Sequence, residues 1–80
     1  MKTTTPWTPN PILIEWFLIG LPDIDRKTIV VGEEIKSCRD VANEMKQGTE
    51  FGRGMYLALQ QEVTENPTTN RLFIAYEAEW

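Results

Sequence analysis

Polar and apolar positions alternate along three stretches of the chain and recur with a helical period along a fourth. In residues 71–80, RLFIAYEAEW, Leu72, Ile74, Tyr76, Ala78 and Trp80 fall on one side of an extended backbone. Phe73, Ala75, Glu77 and Glu79 fall on the other. A period of two, carried by aromatic and β-branched residues, predicts a strand. Residues 12–19, ILIEWFLI, divide in the same way, with Ile12, Ile14, Trp16 and Leu18 opposite Leu13, Glu15, Phe17 and Ile19. A short buried helix fits the same letters, and the β-branched and aromatic content favours the strand. Residues 28–31, TIVV, predict a further short strand closed by Gly32. It would pair with 12–19 as an antiparallel hairpin across the polar loop 23–27, with Ile24 folded back onto the core.

The helical period appears in residues 37–47, SCRDVANEMKQ. Ser37 and Asp40 form a capping box, and Cys38, Val41, Ala42 and Met45 make one apolar stripe. Gly48 is placed for a left-handed stop. Residues 49–54, TEFGRG, read as a flexible joint. Residues 55–65 fit both periods, and their Leu, Ala, Gln and Glu content favours helix. Residues 66–70, NPTTN, read as a turn into the last strand. Residues 1–11 hold three prolines and read as an irregular arm, in which Trp7 either pins the arm to the core or meets a partner.

The expected fold is therefore α+β in a single domain over residues 1–80. A small antiparallel sheet of three strands, four if 55–63 is extended, packs against one or two helices. At 80 residues the core is small, and the chain reads as a complete small protein ending on its last strand.

Composition narrows the chemistry. With no histidine and one cysteine there is neither a zinc framework nor an intrachain disulfide. The lone thiol, without a signal peptide, points to a cytoplasmic location. No run is long enough to span a bilayer. Lacking imidazole, the chain has no Ser-His or Cys-His nucleophile pair. Cys38 shares the apolar stripe of its helix and reads as a small buried hydrophobe. Asp23 and Asp25 sit beside Arg26 and Lys27 as solvated ion pairs, and Glu33 and Glu34 suit the positive end of the following helix. Gly52-Arg53-Gly54 lacks phosphate-loop spacing. No enzyme activity, cofactor or metal is expected.

The net charge is −4, and the first forty residues hold five basic against six acidic groups. No cationic stripe is left for phosphate contacts, which disfavours direct nucleic-acid binding through Arg26, Lys27, Lys36 and Arg39. The sheet poses a counting problem instead. One helix covers one face, taken as Ile12, Ile14, Trp16 and Leu18 with Leu72, Ile74 and Tyr76. The other face would show Leu13, Phe17, Ile19 and Phe73 among Glu15, Glu77 and Glu79. Either 55–65 covers that face, or it forms a homodimer, or it meets another protein. The expected function is a non-enzymatic protein-binding protein acting through Glu15, Phe17, Phe73, Glu77, Glu79 and Trp7 on a partner with a basic surface. Phage or mobile-element inhibitors of host enzymes have this size and charge. The alternative is a small assembly subunit that self-associates through its sheet.

Overall fold

Four helices and one hairpin make up the computed structural model, which describes residues 6–80. In order they are α1 (Pro11–Ile19), β1 (Ile29–Val31), β2 (Glu34–Lys36), α2 (Cys38–Gln47), α3 (Glu50–Glu65) and α4 (Pro67–Ala78). The fold is mixed α and β, with helix dominant.

Each helix starts on a side-chain cap. The Asn10 side-chain oxygen accepts the Ile12 N–H at 3.0 Å, and Asn66 accepts those of Thr68 and Thr69 at 3.1 and 3.2 Å. Proline follows each asparagine as the first helical residue, where its missing N–H costs nothing and its fixed φ suits the helix. Ser37 and Asp40 form the expected box, Ser37 N–H donating to the Asp40 carboxylate at 2.9 Å and Asp40 N–H to the Ser37 hydroxyl at 3.0 Å. Thr49 caps α3 by accepting the Gly52 N–H at 3.0 Å.

Two predicted strands are therefore helices. Residues 12–19 form α1 and residues 71–78 belong to α4, so the three- or four-stranded sheet does not form. The reason is local: an Asn-Pro pair heads each segment, and the apolar runs after it are short enough to satisfy either period. The predicted joint at 49–54 is the first turn and a half of α3, whose helical character over 55–65 is as expected. The strand at 28–31 survives as β1, with a different partner. Gly32 adopts φ 61° at the first position of a two-residue turn, which returns the chain as β2. The register pairs Ile29 with Lys36, Val30 with Ile35 and Val31 with Glu34. Glu33 and Glu34 are thus turn and strand residues, not helix-dipole partners.

The core takes side chains from every helix. Leu13 and Ile14 of α1, Val41, Ala42 and Met45 of α2, Tyr56 and Val63 of α3, and Phe73 of α4 are buried together. The loop after α1 is tied to α2, because the Ile24 carbonyl accepts the Arg39 N–H at 2.9 Å and Asp25 pairs with the Arg39 guanidinium. The hairpin is tied to the same helix through Lys36, whose ammonium lies 2.5 Å from the Glu44 carboxylate.

Two glycines let α2 and α3 meet closely. Gly48 ends α2 at φ 78°, and a Cβ there would lie 2.6 Å from the Trp7 ring. A Cβ on Gly52 would collide with the Glu44 carbonyl and stand 2.7 Å from the Met45 nitrogen. Backbone rests on backbone at that crossing, so no rotamer change can relieve the collision.

Gly52→Ala is therefore expected to cost about 3 kcal/mol through overpacking. Gly54, in the same helix with nothing near its missing Cβ, behaves oppositely: Gly54→Ala should stabilise by roughly 0.5–1 kcal/mol through helix propensity. Urea unfolding of the two variants checks the opposite signs.

A second expectation concerns acid. Lys36 and then Thr49 hold the Glu44 carboxyl below its ordinary value. The Ser37 backbone N–H, its hydroxyl and Lys27 do the same for Asp40. A depressed folded-state pKa means the unfolded chain binds more protons, so this stabilisation is present above the unfolded pKa and lost as pH falls. The melting temperature should be flat above about pH 5 and drop below about pH 4. Glu44→Gln should flatten the drop, as read by thermal denaturation across acetate and citrate buffers.

Candidate functional site

Helices α1 and α4 pack along one side only. Trp16 meets Phe73 edge to face, with ring centroids 5.6 Å apart and planes at 73°, which fixes the two helices against each other. Beyond this contact their surfaces diverge. On α4 and its C-cap, Leu72, Ala75, Tyr76 and Glu79 recur at i, i+3, i+4 and i+7, a stripe turned away from the core. On α1, the last turn supplies Trp16, Phe17 and Ile19, and Gly20 and Leu21 continue the wall. Between them lies an open groove of about 560 Å³.

Its lining is apolar apart from Glu79. Leu72 and Ile19 are each 60% exposed, and Trp80, 66% exposed, stands edge-on to Tyr76 with ring centroids 6.0 Å apart. A concentration of large apolar side chains in water at one place is what interaction surfaces show. Ile35 and Val30 form a smaller exposed pair on the hairpin's outer face.

The residues expected from sequence to meet a partner separate into three groups. Phe17 and Glu79 line the groove, and Glu15 stands one helical turn before Ile19 on the surface of α1. Phe73 is 8% exposed, so it supports the groove from beneath Trp16 and cannot itself be a contact. The predicted inside and outside of this segment are exchanged: Phe73 is core, while Leu72 and Ile74, assigned to the core, are exposed. A helix scatters neighbours by 100° where a strand alternates them by 180°.

Glu77 and Trp7 go elsewhere. Glu77 turns towards Asn10, whose side-chain amide donates to it at 3.4 Å. Trp7 is half-buried over the α2–α3 junction. Its indole N–H donates to the Met45 carbonyl at 2.6 Å. Tyr56 meets its ring edge-on at 5.4 Å, and the Arg53 guanidinium covers it at 5.0 Å. The Tyr56 hydroxyl accepts the Asn10 N–H at 2.8 Å, so the arm is fastened on both sides of Pro9. Trp7 pins the described part of the arm to the core, and residues 1–5 lie outside the described residues.

Trp16, Leu21, Leu72, Ala75 and Tyr76 were absent from the expected contacts, whereas Ile19 was already placed on the expected face. The Asn-Pro starts were the signal that could have found them, since a helical reading puts 72, 75, 76 and 79 on one face.

The other chemistry-bearing side chains are engaged or isolated. Cys38 is half-buried at the first position of α2. The hollow between the hairpin and α2 is lined by Lys27, Lys36, Asp40 and Glu44, which pair among themselves. Among the described residues no three His, Cys, Asp or Glu side chains gather as a metal site, and no helix is long and apolar enough to cross a membrane.

No protein-family model, curated protein or solved structure matches the chain. The site is read from its own geometry.

Groove and core should separate on substitution. Leu72→Ser is expected to leave stability within about 0.5 kcal/mol of the parent. Phe73→Ala, its neighbour in sequence, should cost about 3 kcal/mol by opening a cavity under Trp16. Chemical denaturation of both variants reads the contrast.

Proposed function

We propose that this chain is a non-enzymatic protein-binding module that works through its α1–α4 face. The observation that carries the reading is the groove itself, in which Ile19, Leu21 and Leu72 stand exposed beside Tyr76 and Glu79. A concave apolar site flanked by charge and built on two helices suits the apolar face of a partner helix or strand.

Two kinds of partner fit. One is a basic surface on another protein, in the manner of small phage or mobile-element proteins that dock on a host enzyme. The net charge of −4 and Glu79 support it. The other is a further copy of the chain, supported by the placement of Arg71 on α4 and Glu79 at its C-cap.

Affinity capture from lysate containing an untagged copy, followed by mass spectrometry, tests the reading. Wild type should retain an identified protein that Leu72→Asp loses and Glu77→Lys keeps, because Glu77 faces the arm. Equal recovery by Leu72→Asp would remove the groove from the function.

A further inference from the structure

The exposed stripe of α4 has a symmetry of its own. Arg71 and Glu79 stand four residues either side of Ala75, about 6 Å along the axis in each direction. Among the described residues neither enters an ion pair. The acids of α2 behave differently: Asp40 and Glu44 are paired with Lys27 and Lys36. A stripe with a cation at one end, a carboxylate at the other and a small side chain midway is complementary to itself when reversed.

We propose that the α1–α4 groove is the interface of a twofold-symmetric homodimer in which the two α4 helices lie antiparallel and cross at Ala75. The proposal rests on the protein-binding reading above and names its partner. A twofold axis near Ala75 brings Arg71 of each chain opposite the partner's Glu79, twice over by symmetry. Alanine at the centre admits the close approach that a larger residue would prevent. The partner's Leu72 and Tyr76 then enter the groove beside Ile19 and Leu21, and the exposed apolar surface of both copies is removed from water.

Orientation follows from the charges. Parallel packing would oppose Arg71 to Arg71 and Glu79 to Glu79, two repulsions instead of two attractions. The ion pairs flank an apolar centre, so they set direction and register while burial of the stripe supplies most of the affinity.

Light scattering on the size-exclusion eluate of the full chain, across the micromolar range, is the test. Wild type should elute as a dimer. Arg71→Glu alone and Glu79→Arg alone should each weaken association by about ten-fold or more, through like charges facing across the axis. An equimolar mixture of these two single variants should recover a mixed dimer, because every opposed pair is then unlike. Ala75→Glu, which blocks the crossing without touching either charge, should be monomeric. Circular dichroism should show native helix content in every variant, since all three positions are exposed.

A monomeric wild type overturns the proposal, as does a dimer unaffected by Ala75→Glu. A mixture that stays monomeric while wild type dimerises overturns the pairing of Arg71 with Glu79 across the axis. If wild type is monomeric and Leu72→Asp still loses a captured protein of another kind, the groove binds protein and the partner is not a second copy.

Discussion

The rest of the fold depends on the backbone contact between α2 and α3 at Gly52. With no Cβ at that residue, α3 folds back against the Glu44 carbonyl immediately after the turn at Gly48 and Thr49. The closeness of the two helices places Tyr56 where its hydroxyl receives the Asn10 N–H and leaves the slot over Gly48 that Trp7 fills. Asn10 is also the cap of α1. The start of α1 is thus set by a residue of α3, and the angle at which α1 reaches α4 is set with it. The groove is the downstream consequence: α1 is nine residues long, and its last turn departs from α4 just beyond the Trp16–Phe73 contact.

The same economy explains why the surface is apolar. In this chain of 80 residues the described residues include a core of eight buried apolar side chains, divided among four helices. Leu13, Ile14 and Phe73 saturate the inner sides of α1 and α4, and no element lies outside them. Ile19, Leu21 and Leu72 then remain as surplus hydrophobic surface where α1 and α4 diverge. Several charged groups elsewhere are used within the chain. Lys36 fastens the hairpin to α2 through Glu44, and Arg39 fastens the preceding loop through Asp25. The charges of Glu15, Arg71 and Glu79 are left outward beside the exposed apolar groups of the same two helices.

What was legible in the chain, and what was not, follows the range of the forces involved. The α2 helix was readable in full, because its capping box, its stripe and its left-handed Gly48 lie within twelve residues and act locally. The Gly32 turn was readable as a stop and not as a hairpin centre, since the pairing partner lay on the side taken for a helix approach. For 12–19 and 71–80 the apolar runs carried two periods at once, and the asparagine–proline pairs that broke the tie were read as loops. From that one exchange of period the inside and outside of residues 72–74 were reversed, and with them the expected face. Phe17, Glu15 and Glu79 still fell at the groove or on its flank.

Sequence by itself determined the helix starts, the turns, the net charge and the absence of histidine chemistry, because these are properties of residues and of their near neighbours. Only the tertiary structure decided which apolar residues are core and which are surface. That depends on Gly52 letting two backbones touch, on Trp7 closing over Gly48, and on where α1 and α4 part. Burial is settled by what lies opposite a side chain in space, and for Leu72 and Phe73, adjacent in the chain, the answers are opposite.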